Sequence, residues 1–160
     1  KKFPKINYIG IDIKGSRIWK GAKFANDHKI KNVRFLRTQI EFLPFCFAEN
    51  EVSEIWITFP DPQIKYRRRR KRLTAINMLN KYKNILKKGS LLHLKTDSQF
   101  LHGYTLGVLE KLKSKIILTS HDIYSSNLIE TNEVLSIKTF YEQKFLKNKQ
   151  PITYICFQIN

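Results

Sequence analysis

Glycine, cysteine, acidic residues and long apolar runs are all scarce in this chain of 160 residues. Its 6 glycines form neither GxGxxG nor GxxxxGK, so the fingerprints of dinucleotide-binding and P-loop proteins are absent. The 2 cysteines form no CxxC pair and show no zinc-ligand spacing with a histidine. The sequence therefore indicates neither a disulfide framework nor a zinc site. We expect Cys46 and Cys156 to be buried, reduced thiols in a cytoplasmic protein that binds no metal.

Membrane insertion and classical secretion are not expected either. No apolar run approaches the roughly 20 residues of a spanning helix, and no charged, apolar and small-residue segment opens the chain. With 42% apolar and 12% aromatic residues, the composition is that of a globular protein. The length predicts a single domain over residues 1–160.

A large excess of basic residues is the first functional clue. The chain has 30 Lys plus Arg against 13 Asp plus Glu, a net charge of +17 and a pI near 10.0. A polyanionic partner is the leading interpretation. General use of lysine throughout the chain is the alternative, and the clustering of the cations decides between the two.

Short β-branched stretches alternate with longer amphipathic ones, which predicts an α/β fold with a parallel sheet and crossover helices. A helix ending near Gly89 is expected from its glycine, and the segment 121–132 is predicted to be a loop. The predicted strands are 6–11, 33–36, 54–59, 91–95, 116–120 and 152–158. The predicted helices are 16–28, 73–88, 100–113 and 134–147.

The chain enters the strand YIGID almost at once, although doubly wound nucleotide-binding sheets normally open with a strand and a Gly-rich turn. We expect both to lie upstream of residue 1.

Polar residues follow four of the predicted strands: Asp12, the stretch 38–41, Asp61 and Asp97. In open parallel sheets, ligands bind beyond the carboxyl ends of the strands, so these residues are candidates for a site. Asp12 fits a contact to ribose hydroxyls or, alternatively, a cap of the following helix. Asp97 fits a catalytic role or a helix cap.

The segment FPDPQIKYRRRRKR joins a carboxylate to a cluster of cations. Pro60 and Pro62 restrict the backbone on both sides of Asp61, which predicts a rigidly held acid. Residues 65–72 carry seven cations in eight positions, with Tyr66 the exception. Because such density is self-repelling until phosphates neutralise it, RNA or DNA is the expected partner. A solvated run at a helix N-terminus is the alternative, although cations there oppose the helix dipole.

Other polar residues give weaker signals. Lys95 could neutralise neighbouring carboxylates, and Thr139 and Glu142 stand three residues apart, as in a capping box. The histidines show no ligand spacing, and we interpret each as a surface or core residue: His28, His93, His102 and His121.

Five segments stand in a fixed order along the chain: GIDIKGSRIWKGAK, VRFLRTQIEFL, EIWITFPDPQIKYRRRRKRLT, HLKTD and TFYEQKF. Together they resemble the bacterial tRNA (guanine-N7)-methyltransferase family. The resemblance implies a Rossmann-like class I methyltransferase fold, mostly parallel, with helices on both faces and its first strand and Gly-rich turn missing. It implies S-adenosylmethionine as cofactor, tRNA as partner and methyl transfer to N7 of guanosine 46 in the variable loop. The protein is expected to act as a monomer or homodimer.

The resemblance also implies roles for individual residues. Asp12 would contact the cofactor's ribose, Thr38 its adenine, and Asp61 its methionine part as well as the catalytic region. Thr38 stands where many relatives carry an acidic residue, and Gln63 and Ile64 replace the usual aromatic-containing pair. The implied substrate-binding residues are Lys65, Asp97, Thr139, Phe140, Tyr141 and Glu142. The expected contacts to RNA phosphates are Arg67, Arg68, Arg69, Arg70, Lys71 and Arg72.

Two other functions fit the same residues. One is a non-catalytic RNA-binding module derived from this fold, and the other is a class I methyltransferase with another substrate.

Overall fold

The computed structural model describes residues 3–159, apart from the side chains of residues 140 and 141. The chain divides into two compact units, Lys1–Cys46 and Phe47–Asn160, and each is described by itself. The single domain expected for residues 1–160 stays a prediction. In the part of the chain that the structure describes, no helix has the length and apolar character needed to cross a membrane.

The first unit is a β-α-β element followed by a short helix. Its elements are strand β1 (Tyr8–Asp12), helix α1 (Gly15–Asp27), strand β2 (Val33–Arg37) and a 3-10 helix (Ile40–Phe45). β1 and β2 pair in parallel, from Tyr8 opposite Val33 to Asp12 opposite Arg37. The carboxyl ends of both strands therefore lie at one edge, where Asp12 ends β1 and Thr38 follows β2.

The second unit is built on four strands. Its elements are β3 (Val52–Thr58), a 3-10 helix (Tyr66–Lys71), α2 (Ile76–Ile85), β4 (Leu86–Thr96), α3 (Gln99–Lys111), β5 (Lys115–Ser120), α4 (Leu128–Thr131), α5 (Glu133–Ser136), α6 (Phe140–Lys147) and β6 (Thr153–Gln158). The strands lie in the order β3-β4-β6-β5. β3 pairs with β4 in parallel, whereas β6 runs antiparallel to both β4 and β5.

The predicted α/β architecture is confirmed, and each of the six predicted strands is present. The ends shift by at most two residues, except that β4 begins five residues earlier than predicted. The parallel pairing holds for β1 with β2 and for β3 with β4. β6 is the difference, because the polar loop and short helices before it return the chain in the opposite direction between β4 and β5.

Strand β4 separates two kinds of environment. Leu92 and Leu94 are fully buried on one side, while His93 and Lys95 point to the other, as the alternation of a strand requires. On the side of His93, the segment between β5 and β6 contributes Ile123 and Leu135 to a buried apolar cluster that also includes Tyr154 of β6. This face of the sheet therefore buries polar groups that need internal partners.

Two predicted helices have different ends in the structure. α2 ends at Ile85, and Leu86 already pairs with Val52, so Gly89 lies inside β4 at φ +78° and does not end the helix. The segment 134–147 forms two helices, because Ile137 is extended and Thr139 begins a new one.

The cysteines also differ from each other. Both are free thiols, but Cys46 is exposed and only Cys156 is buried, so the expectation that both are buried was wrong for Cys46.

Close packing at Gly21 yields a stability prediction. A Cβ on Gly21 would lie 2.4 and 2.8 Å from ring atoms of Phe35, whereas one on Gly103 in α3 would meet nothing within 4 Å. We expect Gly21→Ala to lower the free energy of unfolding by about 1–3 kcal/mol through overpacking. Gly103→Ala should raise it by about 0.5–1 kcal/mol, because alanine is the better helix former. Urea unfolding of both variants tests this, and a gain at both positions would contradict it.

Candidate functional site

The parallel pairing of β3 with β4 places two predicted site residues at one edge of the second unit. Thr58 lies opposite Lys95, and the Phe59 N–H donates to the Lys95 carbonyl at 2.8 Å. The chain then leaves β3 toward Asp61 and leaves β4 directly into Asp97. The structure therefore brings these two carboxylates to the same edge, as the strand pattern predicted.

The loop after β3 holds Asp61 in a tight turn. One oxygen of its carboxylate accepts a hydrogen bond from the Gln63 N–H at 2.9 Å, while the side chain is exposed and can accept more. Phe59 and Gln63 have φ of 48° and 47°, a left-handed conformation that residues with a Cβ seldom adopt. Residues in such conformations persist only where their surroundings hold them. Asp61 is thus placed by a constrained loop, in line with the rigidity expected from its two prolines.

The basic run begins as a short 3-10 helix, Tyr66–Lys71. Arg69 packs its guanidinium 4.0 Å from the centre of the Tyr66 ring and is half-buried. The other cations of the run before Arg72 are exposed: Lys65, Arg67, Arg68, Arg70 and Lys71.

Arg72 differs from the other cations of this run. It is only 5% exposed, and its guanidinium donates to the carbonyls of Gln63 and Ile64. The guanidinium of Arg72 is therefore engaged within the protein, whereas the exposed cations face solvent. Contacts from residues 67–72 to RNA phosphates stay a prediction.

The start of α3 distinguishes the two interpretations of Asp97. Ser98 is the cap of this helix, and its hydroxyl accepts from the Leu101 N–H at 3.2 Å. Asp97 precedes the cap and is half-buried. It is therefore not the capping residue, and its substrate-binding role stays a prediction.

Lys95 ends in a buried ion pair with Glu142. The ammonium lies 2.7 Å from the carboxylate, with side-chain exposures of 4% and 0%. It also donates to the carbonyls of Leu135 and Ile137, at 2.9 and 3.3 Å. Lys95 thus neutralises a carboxylate, as expected, and that carboxylate belongs to Glu142 on α6, which meets β4 here.

Glu142 has further partners inside the same cluster. The Tyr124 hydroxyl donates to it at 2.6 Å, and the Thr139 N–H donates to its second oxygen at 3.1 Å. Burial, followed by the Glu142 carboxylate, raises the pKa of Tyr124. The Thr139 hydroxyl accepts from the Glu142 N–H, which confirms the predicted capping box.

Substrate binding by the segment 139–142 stays a prediction. Phe140 and Tyr141 were predicted to bind substrate, and their side chains lie outside what the structure describes.

In the first unit, the carboxylate of Asp12 is ionised and is held by two hydrogen bonds. It accepts from the Lys14 N–H at 2.9 Å and from the Arg17 guanidinium at 3.1 Å. Burial alone raises the pKa of Asp12, but these donors outweigh it and leave that pKa below its usual value. Its side chain is 27% exposed, so lone pairs remain for a ligand. Thr38 is half-buried just beyond β2. The cofactor-binding roles of both residues stay predictions.

The histidines divide into core and surface residues, as interpreted from their spacing. His28 and His121 are exposed, whereas His93 and His102 are buried. His93 stacks on Trp56 with 4.0 Å between ring centres and shares a 2.7 Å hydrogen bond with the Tyr154 hydroxyl. Among residues 3–159, no group of three or more His, Cys, Asp or Glu side chains could hold a metal ion.

Sequence reasoning missed Tyr124 and left the partners of Lys95 and Arg72 undetermined. Tyr124 gives no signal, since it lies in a polar segment without periodicity. Lys95 does give one, because a lysine inside the apolar strand LLHLKT needs a buried partner. The burial of Arg72 could not be read from the sequence, because there it is one more cation in a run of cations.

The comparisons with known proteins agree with this architecture. The model of a family described as "Putative methyltransferase" matches residues 1–155. A protein of Christiangramia forsetii named tRNA (guanine-N(7)-)-methyltransferase is 56% identical over 99% of this chain and 70% of its own length. The chain belongs to the tRNA (guanine-N7)-methyltransferase family.

Other members of this family carry the same name at lower identity. The protein of Porphyromonas gingivalis is 48% identical over 98% of this chain and 63% of its own length. That of Bacillus subtilis is 36% identical over 95% of this chain and 69% of its own length. The chain thus spans roughly two thirds of the length of these relatives.

Solved structures show the same fold at low identity. The 16S rRNA methyltransferase KamB superposes with a TM-score of 0.69 at 14% identity, over 98% of this chain and 78% of KamB. A SAM-dependent methyltransferase from Aquifex aeolicus gives 0.61 at 11% identity, over 96% of this chain and 69% of its own. These similarities show the class I methyltransferase fold alone.

The buried pair of Lys95 and Glu142 predicts an asymmetric mutational effect. Lys95→Met leaves the Glu142 carboxylate buried without its cation, and we expect a loss of about 3–5 kcal/mol in the free energy of unfolding. Adding Glu142→Gln should restore part of that loss, because the uncompensated charge is then removed. Urea unfolding of the single and double variants measures both, and a double variant as unstable as the sum of the two single changes would contradict the prediction.

Buried His102 predicts a loss of stability in mild acid. Burial, with a smaller effect of His121, lowers the pKa of His102, although the Tyr154 backbone opposes the shift. Below the ordinary histidine pKa of about 6.5, the unfolded chain then binds more protons than the folded one. The free energy of unfolding therefore decreases as the pH is lowered through this range, by at most about 1.4 kcal/mol per pH unit. The difference in urea midpoint between pH 7.5 and 5.5 should be smaller in His102→Gln. An equal difference in both proteins would refute this.

Proposed function

We propose that this protein is a tRNA (guanine-N7)-methyltransferase, which uses S-adenosylmethionine to methylate N7 of a guanosine in the tRNA variable loop. The names of its relatives and its family membership support the proposal. The observation that carries it is the loop after β3, where the constrained carboxylate of Asp61 leads directly into a segment of exposed cations. The same loop thus offers a group for chemistry and a surface for RNA.

The residues present fit S-adenosylmethionine. Asp12 remains ionised, because its pKa is lowered, and is partly exposed, so it can accept hydrogen bonds from ribose hydroxyls. Thr38 would contribute at the adenine, and Asp61 at the methionine part. When bound, this cofactor supplies an electrophilic methyl group on a sulfonium.

The proposed reaction asks little of the protein in proton transfer. Guanine N7 carries an in-plane lone pair and no proton, so no residue has to act as a general base. Positioning of the base is then the main contribution. As N7 becomes methylated, positive charge develops on the purine, and the carboxylates of Asp61 and Asp97 can stabilise it from the same edge of the sheet.

RNA binding falls to the exposed part of the basic run. Arg67, Arg68, Arg70 and Lys71 are exposed on one short segment, where neutralisation by phosphates relieves their mutual repulsion. Lys65 and the segment 139–142 would bind the guanosine and its surroundings. A tRNA substrate and free thiols at Cys46 and Cys156 fit a cytoplasmic protein.

Methyl transfer by the full-length protein tests the proposal. We expect labelled methyl groups from S-adenosylmethionine to enter unmodified tRNA, with the label mapped to N7 of guanosine 46 by cleavage at N7-methylguanosine. Asp61→Asn keeps an oxygen for the Gln63 N–H but removes the charge, so kcat should fall by about 100-fold or more.

Glu110→Gln is the matched control, since Glu110 is exposed on α3 in the same unit. It should retain wild-type turnover. RNA binding without methyl transfer would favour a non-catalytic RNA-binding module, and methylation of a small molecule or protein alone would favour the other alternative. Either result would overturn the proposal.

A further inference from the structure

The seven cations of the basic run are not equivalent, and Arg72 is the exception. It is 5% exposed, while Arg70 and Lys71 immediately before it are exposed. Its guanidinium lies 4.7 Å from the ring centre of Phe100 and 4.3 Å from that of Tyr104, both on α3. The charge of Arg72 is therefore accommodated by two aromatic rings of the protein itself.

The same guanidinium holds the backbone of the Asp61 loop. Its Nε and Nη2 donate to the Gln63 carbonyl at 3.2 and 3.1 Å, and Nη2 also lies 3.4 Å from the Ile64 carbonyl. Hydrogen bonds with a charged donor are stronger than neutral ones, and the planar fork of arginine fixes their direction. Arg72 thus joins the loop after β3 to the first turns of α3.

Gln63 connects this anchor to the carboxylate. Its carbonyl accepts from Arg72, and its N–H donates to Asp61 at 2.9 Å. Gln63 adopts a φ of 47°, which a residue with a Cβ keeps only under external restraint. Because Arg72 restrains the carbonyl side of Gln63, it also fixes where the N–H side holds Asp61.

We propose that Arg72 is a positioning residue for Asp61 and not a ligand for RNA phosphate. The inference rests on the proposed function, in which Asp61 acts on the methyl transfer. Loss of the Arg72 guanidinium should then reduce kcat, because the Asp61 carboxylate is displaced and no longer faces the developing charge. Affinity for tRNA and its dependence on salt should be unaffected, since no phosphate contact is removed.

Arg72→Lys separates the two roles, because lysine keeps the charge but cannot reproduce the fork of donors. We expect kcat at saturating tRNA to fall by about 10- to 100-fold. The Kd for tRNA should stay within about twofold of the wild type, with an unchanged slope of log Kd against log salt. Arg70→Gln is the matched comparison for binding: it should weaken tRNA affinity and reduce the salt slope by about 0.7–0.9. Glu110→Gln is the control for activity and should keep kcat.

A second readout does not need activity. Hydrogen exchange of the Gln63 amide, measured by NMR on folded protein, should become at least about 10-fold faster in Arg72→Lys, because the restrained turn is loosened. If that variant does not fold, Tyr104→Leu removes one face of the aromatic support and should show the same two changes to a smaller extent.

The outcomes separate this inference from the proposed function. Unchanged kcat and unchanged Gln63 exchange in Arg72→Lys would overturn the positioning role, as would a reduced salt slope in Arg72→Gln of the size seen for Arg70→Gln. Wild-type protein without tRNA methylation would overturn the proposed function, while the exchange measurement would still decide whether Arg72 holds the loop.

Discussion

The parallel pairing of β3 with β4 is the constraint on which the candidate site of the second unit depends. It sets Thr58 opposite Lys95 and continues into the hydrogen bond from the Phe59 N–H to the Lys95 carbonyl. Because both strands run in the same direction, the chain leaves them at one edge. Asp61 and Asp97 are neighbours there by topology, although 35 residues lie between them in the sequence.

Lys95 serves this edge twice, through its backbone and through its side chain. The carbonyl receives the start of the Asp61 loop, and the ammonium pairs with Glu142 at the start of α6. A buried charge without its partner is costly. The ion pair therefore holds β4 and the capping box together, in addition to apolar contacts. Tyr124 adds a third element to the same cluster.

Much of this could be read from the sequence, because its signals are local. The six strands follow from β-branched stretches, the capping box from the spacing of Thr139 and Glu142, and the restriction around Asp61 from two prolines. The reversed direction of β6 and the early end of α2 could not be foreseen. They depend on which strand each residue meets, as when Leu86 pairs with Val52 and ends the helix before Gly89.

The basic run shows where sequence and tertiary structure each decide. The sequence alone determined that the protein is strongly basic, that an acid precedes a dense row of cations, and that its motifs follow the order of one methyltransferase family. Only the fold distinguished Arg72 from Arg70, and directed Lys95 to Glu142. Composition fixes how many charges a segment carries, but burial and partners are set by chain segments far away in sequence, and these decide which charge faces solvent and which one holds the structure.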